Sequence, residues 1–284
     1  MLAIPVTPHE GLVLHAHGPH RSPSWPRLLD DVVEALGGRI GRTELDVDDD
    51  ARVAIVWLNS PGNPDGHVLD AEQLARIVAW ARGRGAIVIS DECYAELAWE
   101  SPWDVEPIPS LLDPRVGGAA GRTGLLALYS LSKQSNLAGY RAAFLAGDAD
   151  LVGAVTEVRK HTGMLVPTPV QAALVAALGD EAHMEVQKEV YRERREVLVE
   201  ATAAAGLVND PASVAGLYLW LKGPESMSAY DLVGAFAELG IVVAPGDFYG
   251  EAGAEESGEP EEMVLAMMTS LELWTRVSTW FFAA

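Results

Sequence analysis

Residues Arg52–Leu58 (RVAIVWL) are apolar after the arginine, the pattern of a strand covered on both faces. Turn chemistry follows at once in NSPGNPDG, Asn59–Gly66. Asp70 stands where a helix N-cap belongs, with Gln73 three residues on. The spacing predicts a helix to about Arg82, before Gly83 and Gly85. Ala86–Ile89 reads as a second short buried strand. Strand, helix and strand in this order make a βαβ unit and imply a parallel sheet. Leu125–Tyr129 and Ala142–Leu145 are further strand candidates.

After Pro169 the texture changes. Glu181–Ala205 is a long, charged helical stretch in which Val186, Val190, Val197 and Ala201 recur at helical spacing, and Gly206 is a natural stop. Arg192, Arg194 and Arg195 stand among Glu189, Glu193 and Glu196 and read as a solvated, ion-paired face. A strand at Leu217–Leu221, a helix starting near Ser228 and a strand at Ile241–Ala244 complete an α+β pattern. The expected organisation is a large α/β domain over 1–180 and a smaller C-terminal α+β domain over 181–284, entered through the long helix. The first 50 residues show no clear periodicity until Leu28–Leu36, and the last 15 form an apolar tail with Trp274, Trp280, Phe281 and Phe282.

Length supports this division, since 284 residues exceed a typical single core. Hydrophobic residues make up 49% and charged residues 21%, enough for a large packed core. The 20 basic and 41 acidic residues give a net charge of −21, which argues against nucleic acid and anionic membrane surfaces as partners. No apolar run approaches the roughly 20 residues needed to span a bilayer. The start, MLAIPVTPHEG, lacks a basic segment followed by an apolar one, and Cys93 is the single cysteine. A cytoplasmic location is the expectation. Six glutamates between Glu251 and Glu262, spaced by Gly and Pro, read as a solvated loop. His9, His15, His17 and His20 have irregular spacing and no supporting cysteines, so no metal site is expected.

Three polar segments each follow a strand candidate: NSPGNPDG, SDECYAEL and YSLSKQSNLAGYR. In an open parallel sheet, ligands sit outside the carboxyl ends of the strands, so these segments mark one functional edge. The pattern N-x-P-x-N-P-x-G, then D-E-x-Y, then S-x-S-K with Arg eight residues after the Lys, resembles the fold-type I aminotransferases of classes I and II. DECYAELAW, YSLSKQSNLAGYRAAFLAGD and KHTGMLVPTPVQAAL are similar in particular to bacterial N-succinyldiaminopimelate aminotransferases. The likeness runs from about Trp57 to Gly250.

The resemblance implies an α/β fold with a mostly parallel sheet, pyridoxal 5'-phosphate (PLP) as cofactor and small amino and keto acids as substrates. It implies a homodimer and a reaction between glutamate and N-succinyl-2-amino-6-ketopimelate, within lysine and diaminopimelate biosynthesis. Lys133 would bond the cofactor aldehyde and carry the proton of the transfer. Asp91 would pair with the pyridine nitrogen and keep it protonated. Asn63 and Tyr94 would donate to the phenolate oxygen, with Asn63 also facing the substrate. Ser130, Ser132 and Arg141 would hold the phosphate, a task suited to hydroxyls and a bidentate cation. Trp25 is the candidate for stacking on the ring, and Arg276 for gripping the substrate carboxylate. Family members carry a longer N-terminal region, so the chain is expected to be shortened at its front. The motifs are shared with C–S lyases and other aminotransferases of the fold, and those alternatives stay open, as does a shortened remnant without turnover.

Overall fold

The computed structural model describes residues 53–162, 165–224 and 226–246, together with the backbone of Leu12–Ala16 and Glu262–Ala266. A five-stranded sheet is built from β1 (Leu12–Ala16), β2 (Val53–Asn59), β3 (Ile87–Asp91), β4 (Leu125–Tyr129) and β5 (Phe144–Gly147), in that spatial order. The first three pairings are parallel and β4–β5 is antiparallel. The mostly parallel α/β sheet agrees with the expected fold class.

Between β2 and β3 runs helix α1 (Ala71–Gly83). Its start is the capping box anticipated from Asp70 and Gln73. The Gln73 amide donates to the Asp70 carboxylate at 2.8 Å, and the Gln73 side chain accepts from the Asp70 amide at 2.9 Å. Leu74, Ile77, Val78 and Ala81 line one face of α1 and are buried with Val53, Val56, Leu58, Val88 and Leu125 of the sheet. Burying one such aliphatic side chain is worth about 1.5–3 kcal/mol. A short helix, α2 (Pro114–Gly117), adds Val116 to this core beside Leu111.

Helices α3 (Ala149–Thr162) and α4 (Thr168–Leu178) follow, and neither buries a residue among those described. Helix α5 (Glu181–Ala204) leads to a second sheet of β6 (Val208–Asn209), β7 (Tyr218–Lys222), β8 (Ala244–Pro245) and β9 (Glu262–Ala266), ordered β6-β7-β9-β8 and antiparallel throughout. Helix α6 (Ala229–Glu238), with a Ser228–Asp231 capping box, covers it. Leu198, Leu219, Leu221, Leu232, Phe236 and Ile241 form its core. Gly206 takes φ +77° just past α5, a left-handed conformation suited to glycine.

Three expectations are corrected. The buried stripe of α5 is Tyr191, Arg195, Leu198 and Thr202, while Val186 is 67% exposed. Arg195 is therefore no member of a solvated face. It is buried and donates to Glu100 at 2.7 Å and to the Ser213 carbonyl at 3.4 Å, because α5 presents it to the loop after β3. Arg192 does pair with Glu189, at 3.3 Å. The last predicted strand shrinks to Ala244–Pro245. A further strand, β1, lies where no element was anticipated. The acidic segment Glu251–Glu261 and the apolar tail lie outside the described residues. No described helix is long and apolar enough to cross a membrane.

Candidate active site

Register brings the polar segments to one edge. Asn59 at the end of β2 pairs with Asp91 at the end of β3, and Asp91 stands beside Leu128 of β4. The segments after these strands therefore leave the sheet side by side. The turn after β2 is tied to β3, since the Ser60 amide donates to the Asp91 carbonyl at 3.1 Å. Turned to satisfy its neighbours, the Asn59 amide donates to the Pro61 carbonyl at 2.8 Å and accepts from the Asn63 amide at 3.0 Å. Gly66 closes the turn with φ +70°. Its carbonyl accepts from the Val214 and Ala215 amides at 3.1 and 3.0 Å. A Cβ there would fall 2.3 Å from the Ala215 carbonyl oxygen, so the position needs glycine on both counts.

Asn63, Tyr94 and Lys133 come together at this edge. The Asn63 side-chain amide donates to the Tyr94 hydroxyl at 3.4 Å, and the Lys133 ammonium nitrogen lies 5.5 Å from the centre of the Tyr94 ring. Tyr94 is buried beside Tyr218 of the second sheet. Burial above all, then Tyr218, raises its pKa well above the ordinary tyrosine value, with Cys93 and Asp91 adding to the shift. Tyr94 is thus a phenol that keeps its proton. Asp91 turns its carboxylate to the Cys93 amide, 3.1 Å away. Burial and the Asp91 charge push the Cys93 thiol up to about 12, which keeps it protonated and unsuited to attack.

Ser130 is buried, and its hydroxyl accepts from the Cys93 thiol and from the Ser132 amide, both at 3.4 Å. Through it the segments after β3 and β4 touch. Lys133 sits in a tight turn. The Asn136 amide donates to the Lys133 carbonyl and the Ser135 amide to the Leu131 carbonyl, each at 3.3 Å. Arg141 lies further out, exposed, with φ +53° and its guanidinium donating to the Ala138 carbonyl at 3.1 Å. That backbone conformation is uncommon for an arginine and marks a constrained position. No bond between Arg141 and Ser130 or Ser132 is recorded among the described residues. Trp25 and Arg276 lie outside them.

The donor set fits PLP. One amine, one carboxylate, a protonated phenol, an amide and two hydroxyls leave adjacent strand ends, and the guanidinium follows in the same loop. Sequence reasoning missed Tyr218, Tyr191 and His183. Tyr191 donates its hydroxyl to the Lys133 carbonyl at 3.4 Å, and the His183 ring lies 2.8 Å from the Ser135 hydroxyl. These residues come from distant elements and carry no motif that could have announced them. No group of metal-ligating side chains is found among the described residues.

Comparison with known proteins agrees with the motifs. Residues 30–259 match the family model "Aminotransferase class I and II". The 4-dedimethylamino-4-oxo-anhydrotetracycline transaminase OxyQ of Streptomyces rimosus is 48% identical over 84% of this chain and 65% of its own length. A probable aminotransferase of Mycobacterium tuberculosis, Rv1178, is 52% identical over 71% of this chain and 46% of its own. The LL-diaminopimelate aminotransferase of Gloeobacter violaceus is 33% identical over 71% and 50%. The chain thus spans between about half and two thirds of the length of these relatives. Among solved structures, substrate-bound BacF of Bacillus subtilis superposes with a TM-score of 0.71 at 23% identity, covering 96% of this chain and 70% of that one. Aspartate aminotransferase of Thermotoga maritima gives 0.66 at 22%, covering 82% and 57%. Both share the fold. With the family model matched over most of its length and the motif residues standing at the carboxyl edge of a mostly parallel sheet, this chain belongs to the PLP-dependent class I and II aminotransferases of fold type I.

Proposed function

We propose that the protein is a PLP-dependent aminotransferase that moves an amino group from glutamate to the keto group of an acylated dicarboxylate, of the N-succinyl-2-amino-6-ketopimelate kind. The observation that carries the catalytic part is the convergence of Lys133, Tyr94 and Asn63 beside the Asp91 end of β3. When bound, PLP supplies an electron-accepting ring. The Lys133 amine would hold the cofactor, then take the proton from the α-carbon of the amino donor and, in the return half-reaction, deliver one to the α-carbon of the acceptor. The Asp91 carboxylate keeps a proton on the ring nitrogen. Tyr94 and Asn63 donate to the cofactor's phenolic oxygen, and Ser130, Ser132 and Arg141 hold its phosphate. Trp25 stacks on the ring, and Arg276 grips the substrate α-carboxylate with its planar fork. The assembly is a cytoplasmic homodimer of chains with a large cofactor domain and a smaller C-terminal one.

The diaminopimelate chemistry named for the Gloeobacter relative supports a long dicarboxylic substrate. A second reading is favoured by the match to OxyQ, which covers more of the chain at higher identity than the Gloeobacter relative does. On that reading the acceptor is a bulky cyclic ketone. Both are tested together. Borohydride reduction of the PLP-loaded protein should mark Lys133, and Lys133→Ala should abolish the mark. A reduced adduct mapped to another lysine overturns the assignment. Asp91→Asn should retain cofactor and lose turnover by about a hundredfold or more. Glutamate-dependent turnover with the N-succinyl keto acid, and none with a polycyclic ketone, selects the first substrate class, and the reverse selects the second.

A further inference from the structure

Helix α5 grips the turn that carries Lys133 from outside the sheet, and it does so through a chain of side chains. Asp180 caps the helix, with one carboxylate oxygen accepting from the Ala182 amide at 3.1 Å. Its other oxygen lies 3.4 Å from Nδ1 of His183. Nε2 of the same ring lies 2.8 Å from the hydroxyl of Ser135, two residues beyond Lys133. The carboxylate favours the ring tautomer with its proton on Nδ1, which leaves the Nε2 lone pair to accept from the Ser135 hydroxyl. Ser135 is only 8% exposed, so water is a poor substitute for that bond. Its backbone amide donates to the Leu131 carbonyl at 3.3 Å, so Ser135 is held at both main chain and side chain. One helical stretch further on, the Tyr191 hydroxyl donates to the carbonyl of Lys133 itself at 3.4 Å.

We propose that Asp180, His183 and Ser135 form a positioning relay that fixes the turn bearing Lys133 and presents its amine to the cofactor in one orientation. The inference rests on the assignment of Lys133 as the cofactor lysine. His183 is a positioning residue, because it touches Ser135 and acts on Lys133 through the turn. Burial of Ser135 makes the arrangement a brace: its hydroxyl faces the ring and is closed to a substrate. Asp180 orients the ring, and Tyr191 supplies the second anchor of the turn.

The test measures capture of PLP by the full 284-residue chain. PLP is mixed with the protein, the absorbance change is followed in time, and the product is reduced with borohydride and mapped by mass spectrometry. Ser135→Ala and His183→Leu should each slow capture at Lys133 about fivefold, the loss expected for one buried hydrogen bond. The double variant should be no slower than either single one, because both remove the same link. His183→Gln, which can still accept from Ser135, should recover most of the rate. Thermal midpoints of all four variants, compared with wild type, separate a misfolded chain from a misaligned lysine. Capture at Lys133 at the wild-type rate in both single variants overturns the relay. So do effects that multiply in the double variant, or a His183→Gln rate equal to that of His183→Leu. If wild-type protein carries the adduct on another lysine, the cofactor assignment falls and the relay falls with it.

Discussion

Helix α1 sets Glu72 and Arg76 on its outer side and Leu74, Ile77, Val78 and Ala81 against the sheet, and those four are buried. Helix α4, with the sequence TPVQAALVAAL, is more densely apolar and has no charged residue, yet none of its side chains is buried. Val170, Ala173 and Leu174 border a shallow apolar recess with Leu131, Leu137 and Ala142 of the lysine loop, while Val175 is 69% exposed and Leu178 45%. The difference lies in pattern and in what stands opposite. On α1 the apolar positions share one face, and a sheet layer covers that face. On α4 apolar residues point all round, so a single neighbour covers part of them whatever their number. Apolar content alone is therefore a poor guide to which helix holds this fold together.

The sharpest way to break the comparison is to shorten one side chain on each helix. Leu74 is 1% exposed in the main core, so Leu74→Ala should lower unfolding free energy by about 2–5 kcal/mol. Val175→Ala removes apolar surface that already faces out, and it should cost less than about 0.5 kcal/mol. Urea unfolding of both variants decides the matter. Equal losses would mean that α4 is packed in solution against something the isolated chain does not show.

The helix ends offer a smaller contrast. Asp70 closes a complete capping box at the start of α1, whereas Pro167 precedes α4 with no side-chain cap. Asp70→Ala should cost about 1 kcal/mol, since it leaves orphaned amides in the first turn. Asp70→Asn, which can still accept from the Gln73 amide, should recover most of that loss. Denaturant midpoints for the two variants check the order. A loss in Asp70→Asn as large as that in Asp70→Ala would assign the effect to charge at the helix end instead of to the cap.

These same local signals explain what was legible in the sequence. The strands at Val53–Asn59, Ile87–Asp91 and Leu125–Tyr129 and helix α1 lie within a residue or two of expectation, because apolar runs, a capping box and turn glycines act over short range. The candidate site residues were legible for the same reason: Asp91 ends a strand, and Asn63, Tyr94, Ser130 and Lys133 each follow a strand end. Strand β1 was not legible. LVLHA is short, and it becomes a strand by pairing with β2, far along the chain. Tyr218, Tyr191 and His183 reach the site from the second sheet and from α5, so only tertiary packing brings them there. The face of α5 was legible only in part: Val186 of the expected stripe is exposed, while Ala201 of the same stripe packs against the core of the second sheet. The buried face includes Arg195, which a hydropathy pattern counts as surface.

A last contrast moves from packing to charge on the well-packed side. Glu92 follows Asp91 directly but turns toward the core that α1 helps to build. It is 6% exposed and accepts from the Leu111 amide at 2.7 Å. Burial raises its pKa above the ordinary glutamate value and outweighs the bonds from Leu111, Ser110 and Ser90 that act the other way, with the Asp91 charge adding to the rise. The sign follows from the state each chain prefers. Just above the ordinary glutamate value the unfolded chain has lost this proton while the folded chain keeps it. The raised group therefore contributes stability that is complete below the ordinary value and is lost as pH climbs through the folded value. Glu92→Gln replaces the carboxyl with a neutral group of similar shape that can still accept from Leu111. Relative to wild type, the variant should gain stability as pH rises from 5 to 8, by about 1 kcal/mol or less. Urea midpoints at several pH values provide the measurement. A constant gap between the two proteins across that range would mean that Glu92 is ionised in the fold throughout, and that the bonds from Leu111, Ser110 and Ser90 outweigh its burial.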